Sequence, residues 1–344
     1  MLKKIVAAAV VVTCVLSLVS FAGAELRVGM VFDIGGKGDQ SFNDSAFRGI
    51  EWAAEKFGIS HIEIEPGADA DRETGLRMIA SQGYDLVIGV GFLFEDAIKA
   101  VSEEFPDTRF AIVDGFVPDK PNVVSLRFRE HDGSFLVGII AAMKAQADGN
   151  DTVGFVGGMD IPLIHKFEAG YREGIKYAYA DCKFLSDYAG SAPTAFADPV
   201  KGKELALAQI DKGAHVIYHA AGLTGAGVYE ACKERKVYVI GVDSNQNHLG
   251  YIAATGENFG LTSMLKQVDV SVYLTIKDII EGKFQAGVRE FGLADSVEIE
   301  GTTYRGVYFA MDDHNKDLVT QAMLDKVAEA EAKIIAGEIV VPTE

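Results

Sequence analysis

Three aspartates, Asp33, Asp114 and Asp243, each close a short hydrophobic run. A carboxylate accepts several hydrogen bonds and supplies no donor, so its natural partners are hydroxyl and N–H groups of an uncharged molecule. Taken singly, each acid reads as a turn or helix-cap residue. Three at the ends of predicted strands instead point carboxylates into one crevice, where they repel an anion and disfavour a phosphorylated ligand. Other runs end in glycine, at Gly91, Gly157-Gly158 and Gly222. Phe42 and Phe196 are loop aromatics just ahead of predicted helices. One of them alone reads as a staple that packs a helix entry. As a pair they can clamp a flat base, and stacking contributes about 1–3 kcal/mol per base. Asp33, Phe42 and Asn43 form one wall of the expected small-molecule site.

These residues need elements to hold them. Residues 26–32 form an apolar strand, a glycine-rich loop follows in DIGGKGDQSFNDSAFRG (33–49), and a helix is expected over 43–57. Further strands are expected over 61–64, 86–90, 110–113 and 123–128, separated by helices over 71–81 and 94–105. The pattern then restarts. Helices over 132–146, 161–180, 199–212 and 225–236 alternate with strands over 152–156, 184–188, 214–219 and 237–241. Such alternation specifies mostly parallel sheets covered on both faces, and ligands of such sheets sit beyond the carboxyl ends of the strands. Two α/β series imply two lobes, with a boundary near 127–130. The tail is expected to hold a helix over 259–281, strands over 288–293 and 303–310, and a last helix over 315–336.

Composition narrows the function class. With 49% hydrophobic and 24% charged residues, the 344-residue chain is globular and long enough for two domains. The formal net charge is −18, and setting aside Lys3 and Lys4, the only charges in the first 24 residues, leaves −20. That argues against nucleic-acid binding, which needs a basic face. Met1–Ala24 reads as a secretory signal, with Lys3 and Lys4, an apolar run and Ala22-Gly23-Ala24. Cys14 lies mid-run behind Val12-Thr13, a poor lipid-attachment site, so no lipid anchor is expected, although an uncleaved anchor stays open. Cys182 and Cys232 do not make a disulfide framework, and whether they pair stays open. The histidines are scattered, which gives a metal no support. GLTGAGV (222–228) follows a strand and opens a helix, but it matches a dinucleotide-binding turn only loosely. No nucleophile motif stands out, and no cofactor is expected.

The motifs as a set resemble the basic membrane protein (PnrA-like) family, substrate-binding proteins of ABC importers that include purine-nucleoside binders. The matching stretches include DIGGKGDQSFNDSAFRG (33–49), DLVIGVGF (85–92), FAIVDG (110–115), VGFVGGMDIPLIHKFEAGYREG (153–174), FADPVKGKELA (196–206), YHAAGLTGAGVYEACKE (218–234), VIGVDSNQ (239–246) and LTSMLKQVD (261–269). The resemblance implies an α/β, type I periplasmic-binding-protein fold: two doubly wound lobes joined by crossover hinge segments, with ligand in the cleft. The expected lobes are residues 25–127 with 250–284, and 128–249 with 285–344. By the resemblance, Phe42 and Phe196 sandwich the purine, and Asp33 and Asn43 make polar contacts. Asp243 and Lys266 bind ribose hydroxyls, and Asp114 lies near the base edge. Gly91, Gly222 and Gly225 line the pocket with backbone. Lys266 read by itself is a solvated surface residue. The resemblance further implies a periplasmic monomer, a permease of the inner membrane as partner, and no catalysis. Riboflavin, a sugar or another flat metabolite on the same fold is the alternative ligand. A nucleoside hydrolase lacks its DxDxxxDD pattern here, and a signal peptide stands where a LacI-type repressor has DNA-binding helices.

Overall fold

The computed structural model describes residues 25–344; the expected signal segment lies outside the described residues. The first lobe opens with β1 (Arg27–Val31), α1 (Phe42–Phe57), β2 (Ser60–Ile64), α2 (Asp69–Ser81), β3 (Leu86–Val90), α3 (Glu95–Glu104), β4 (Arg109–Val113) and β5 (Val123–Phe128). The second holds α4 (Glu130–Ala147), β6 (Thr152–Met159), α5 (Pro162–Ala178), β7 (Lys183–Gly190), α6 (Pro199–Asp211), β8 (Val216–Ala220), α7 (Gly225–Arg235) and β9 (Tyr238–Asp243). A short ribbon, β10 (Tyr251–Ile252) with β11 (Glu257–Asn258), precedes β12 (Gly260–Lys266). The chain then crosses to α8 (Val268–Ile280) and β13 (Gly287–Phe291), makes a hairpin of β14 (Ser296–Ile299) and β15 (Thr302–Arg305), and ends in β16 (Val307–Phe309) and α9 (Gln321–Ile335).

Two six-stranded sheets result, ordered β13-β5-β4-β3-β1-β2 and β16-β12-β9-β8-β6-β7. Every pairing in the first is parallel, and in the second only β16 runs antiparallel, against β12. The central strands are buried along their whole length, β3, β6 and β8 among them, as strands covered by helices on both faces must be. The two sheets share one strand order. By that order β3 corresponds to β8, and β4 to β9. Gly91 and Gly222 therefore occupy like places in the two lobes, and so do Asp114 and Asp243.

The tail differs from expectation. A single helix over 259–281 is not formed: residues 260–266 are β12, wedged between β9 and β16, and only 268–280 are helical. GLTSMLK is buried on both faces, so its apolar residues continue the helical stripe of α8 by coincidence of spacing. The lobe limits move with it. Residues 260–266 belong to the second sheet and 287–291 to the first, because the chain adds one more strand to the sheet it is leaving before each late crossing. The expected strand over 303–310 breaks at Gly306 into β15 and β16, which have different partners. The last helix starts at Gln321 and not at Asn315, since the buried Asn315 side chain donates to Leu261 O and Ala310 O and holds its segment as a loop.

Three crossovers join the lobes, at 128–130, 266–268 and 291–307. They are stitched together by backbone: Arg129 N donates to Phe291 O (2.9 Å) and Gln267 N to Gly306 O (3.1 Å).

Candidate functional site

The carboxyl ends of both sheets face a cleft whose walled space, mouth included, is about 570 Å³. From the first lobe it is lined by Asp33, Phe42, Asn43, Gly91 and Asp114, and from the second by Phe196, Gly222, Asp243 and Lys266. Of the residues expected there, Gly225 alone is not among the lining. It opens α7 behind the wall, where a side chain would run into the ring of buried His219.

The first wall is built by Asp39, which sequence reasoning did not single out. Its Oδ1 accepts from Ser41 N (2.9 Å) and Asp44 N (3.2 Å), and its Oδ2 from Asn43 N (2.9 Å). It thus satisfies the free N–H groups at the start of α1, a task that the Ser41 side chain leaves undone. Burial pushes the Asp39 carboxyl up to about 6, although these N–H donors oppose the shift. Asn43 spends its amide inside this loop. Nδ2 donates to Asp39 Oδ2 (3.0 Å) and to Ile34 O (3.4 Å), while Oδ1 accepts from Asp33 N (3.0 Å). Burial likewise raises Asp33 to about 6, held back by the Ile34 N–H and by Arg72, whose guanidinium lies 3.7 Å away.

Opposite stands a buried charge cluster. Asp114 and Asp243, the corresponding strand-end residues, both have left-handed backbone, with φ of 61° and 63°. Aspartate tolerates this conformation better than most residues. Lys266 ends β12 between them, with Nζ 2.5 Å from Asp114 Oδ2 and 3.3 Å from Asp243 Oδ1. All three side chains are less than 8% exposed. The Lys266 ammonium also lies 4.6 Å from the Phe42 ring centroid, 5.4 Å from Phe167 and 5.7 Å from Phe128. Burial alone would favour neutral lysine. Asp114, Asp243 and Glu130 outweigh it and raise the Lys266 pKa, so the residue stays charged. Burial pushes Asp114 above the usual carboxylate range against the pull of Lys266. Glu130, in the first turn of α4 and paired with Lys166 at 3.2 Å, is pushed by burial to about 7.

Two acceptors in this cluster are unspent. Asp114 Oδ1 is buried without a hydrogen bond, and so is Asp243 Oδ1, which has only the longer approach of Lys266. Leaving such atoms unmatched costs about 1–3 kcal/mol each, which marks them as acceptors awaiting donors. The other oxygen of Asp243 accepts from Ser41 Oγ across the cleft (2.8 Å). Ser244 Oγ donates to Ser41 O (2.9 Å) and Gln246 Nε2 to Gln40 O (3.0 Å). One flank of the cleft is therefore closed by direct bonds between the lobes.

Phe167, Phe92 and Ile164 also line the cleft. In sequence they are apolar residues at helical or turn positions and read as core. Asp39 carried a faint signal, an acid four residues before Asn43 at a helix start. Among the described residues no cluster of His, Cys, Asp and Glu has the makings of a metal site, and no helix is long and apolar enough to cross a membrane.

Residues 26–344 match the family model described as ABC transporter substrate-binding protein PnrA-like. The chain is 34% identical to the ABC transporter nucleoside-binding protein BmpA of Lactococcus lactis, over 93% of this chain and 90% of that one. It is 35% identical to an uncharacterised lipoprotein of Pyrococcus horikoshii, over 80% and 68%. A solved solute-binding protein of an ABC transporter from Aeropyrum pernix superposes with a TM-score of 0.79 at 31% identity, covering 93% of this chain and 94% of that one. The word lipoprotein in the archaeal name removes support from the expectation of an unanchored chain, and Cys14 lies outside the described residues. With the family model spanning both lobes and the cleft between them, the chain belongs to the basic membrane protein family of PnrA-like ABC transporter substrate-binding proteins.

Proposed function

We propose that the cleft binds a purine nucleoside of the adenosine, guanosine or inosine type and hands it to an inner-membrane ABC permease from the periplasmic side. The observation that carries this reading is the pairing of two unspent carboxylate oxygens, on Asp114 and Asp243, with one ammonium between them. A vicinal diol complements that pattern, giving a hydrogen to each acid and an oxygen lone pair to Lys266. Asp114 then belongs with the pentose and not with the base edge. Phe42 and Phe196 approach the same space from opposite lobes and supply faces for a planar base. The acids outnumber Lys266 there, which disfavours a nucleotide. Closure is a hinge motion about the three crossovers, driven by a ligand that bridges the lobes. The protein works as a monomer, binding without chemical change to its ligand.

A calorimetric panel of inosine, guanosine, adenosine, hypoxanthine, riboflavin and ribose tests the proposal. Saturable one-to-one binding of a nucleoside, recovered unaltered after long incubation, is expected. Binding of riboflavin or a sugar in preference to every nucleoside would reassign the site.

A further inference from the structure

The second-lobe aromatic wall depends on an empty place beside it. Phe196 ends a short turn, 193–196, whose backbone is pinned by Thr224. The buried Thr224 hydroxyl donates to Ala195 O (2.8 Å) and accepts from Asp198 N (2.8 Å), on either side of the aromatic residue. The Phe196 ring lies against Gly158 in the fully buried strand β6. A Cβ at position 158 would overlap ring carbons Cδ1 and Cε1 and reach within 3.2 Å of Cζ. Gly158 is not among the glycines with positive φ, so the backbone there accepts any residue. What demands glycine is the space.

We infer that Gly158 is a positioning residue for ligand binding: its missing side chain makes the seat of the Phe196 ring and thereby sets the width of the slot between Phe196 and Phe42. The turn is held in place by the two Thr224 hydrogen bonds that flank Phe196. Gly222 lies close by as well: a Cβ built there would sit 3.2 Å from Phe196 O. The open direction is the cleft that the ring lines. One methyl at 158 therefore drives the ring into the cleft and narrows the slot, while the polar cluster around Lys266 is untouched. The effect on binding rests on the reading of a flat ligand; the seating of the ring does not.

The test is a double-mutant cycle on the whole mature chain with Gly158→Ala, Phe196→Leu and the pair, read by thermal unfolding and by calorimetry with inosine. Gly158→Ala is expected to lower Tm and to weaken inosine about tenfold, within the range that one stacked ring supplies. Phe196→Leu removes ring atoms Cε1 and Cζ and leaves a branch that can rotate its methyls away from position 158, which makes room for the added methyl. The pair should therefore recover most of the Tm lost by Gly158→Ala and bind inosine no worse than Phe196→Leu alone. Wild-type Tm and affinity in Gly158→Ala would overturn the inference, and so would losses from the two substitutions that simply add. If wild type ignores inosine, the nucleoside reading fails, and the Tm cycle still decides the role of Gly158. If Gly158→Ala alone does not fold, a folded pair supports the inference and an unfolded pair overturns it.

Discussion

A lysine and two aspartates, each nearly inaccessible to solvent, hold one another across two lobes. Removing one member of a buried ion pair exposes the other to a medium that solvates it poorly, at a cost of about 3–5 kcal/mol. Lys266→Met should lower stability by about that much in urea titration, since it strands both carboxylates. A loss within 1 kcal/mol, on the scale of exposed pairs, would mean that the cluster is solvated. Asp243→Ala removes the acceptor proposed for the pentose and should weaken inosine roughly tenfold or more while leaving hypoxanthine little changed; equal losses in calorimetry would contradict the pentose assignment. The acids and rings were legible in the sequence because they end strands and precede helices. Lys266 was legible only through family resemblance. Its meaning lies in a β12 position next to β9, and spacing along the chain does not reveal such a neighbour.

At the scale of elements, α1 depends on a residue outside it. Asp39 accepts three N–H groups around the helix start, so Asp39→Ala should cost about 1–2 kcal/mol by chemical denaturation. The same change should weaken nucleosides, because it frees Phe42 and Asn43. An unchanged unfolding midpoint would show that the cap is dispensable. The start of α4 carries a pH dependence. Glu130 has its folded pKa raised by burial to about 7, so the folded chain holds a proton where the unfolded chain has released it. The stability from that proton is complete below the ordinary carboxyl range and is lost as pH rises through about 7. Glu130→Gln cannot titrate, so between about pH 5 and pH 8 its urea midpoint should fall less than that of wild type; parallel curves would place the titration elsewhere. Most of the alternating elements were readable from periodicity. The stretch 259–281 was not, because a doubly buried strand has no alternation and its apolar residues fell in phase with the helix that follows.

For the whole molecule, the proposed function is closure on a ligand. The two lobes repeat one strand order, place like strand ends face to face, and meet through stitched crossovers on one side and Ser41–Asp243, Ser244–Ser41 and Gln246–Gln40 bonds on a flank of the cleft. Breaking a flank bond should favour the open form: Ser41→Ala removes a donor to Asp243 and is expected to speed ligand release several-fold in stopped flow, with little change in the rate of capture. Altered capture with unchanged release would assign Ser41 to entry. The two-lobe plan was evident from the sequence, but the limits set by the two late crossings were not, because the tail's periodicity does not signal where the chain returns to the other lobe. The most direct measurement is calorimetric titration of the mature chain with inosine, repeated for Phe42→Ala and Phe196→Ala. Saturable binding by the wild type that each single substitution weakens about tenfold or more is the expected result. No binding of any purine nucleoside, or affinity indifferent to both rings, would contradict it.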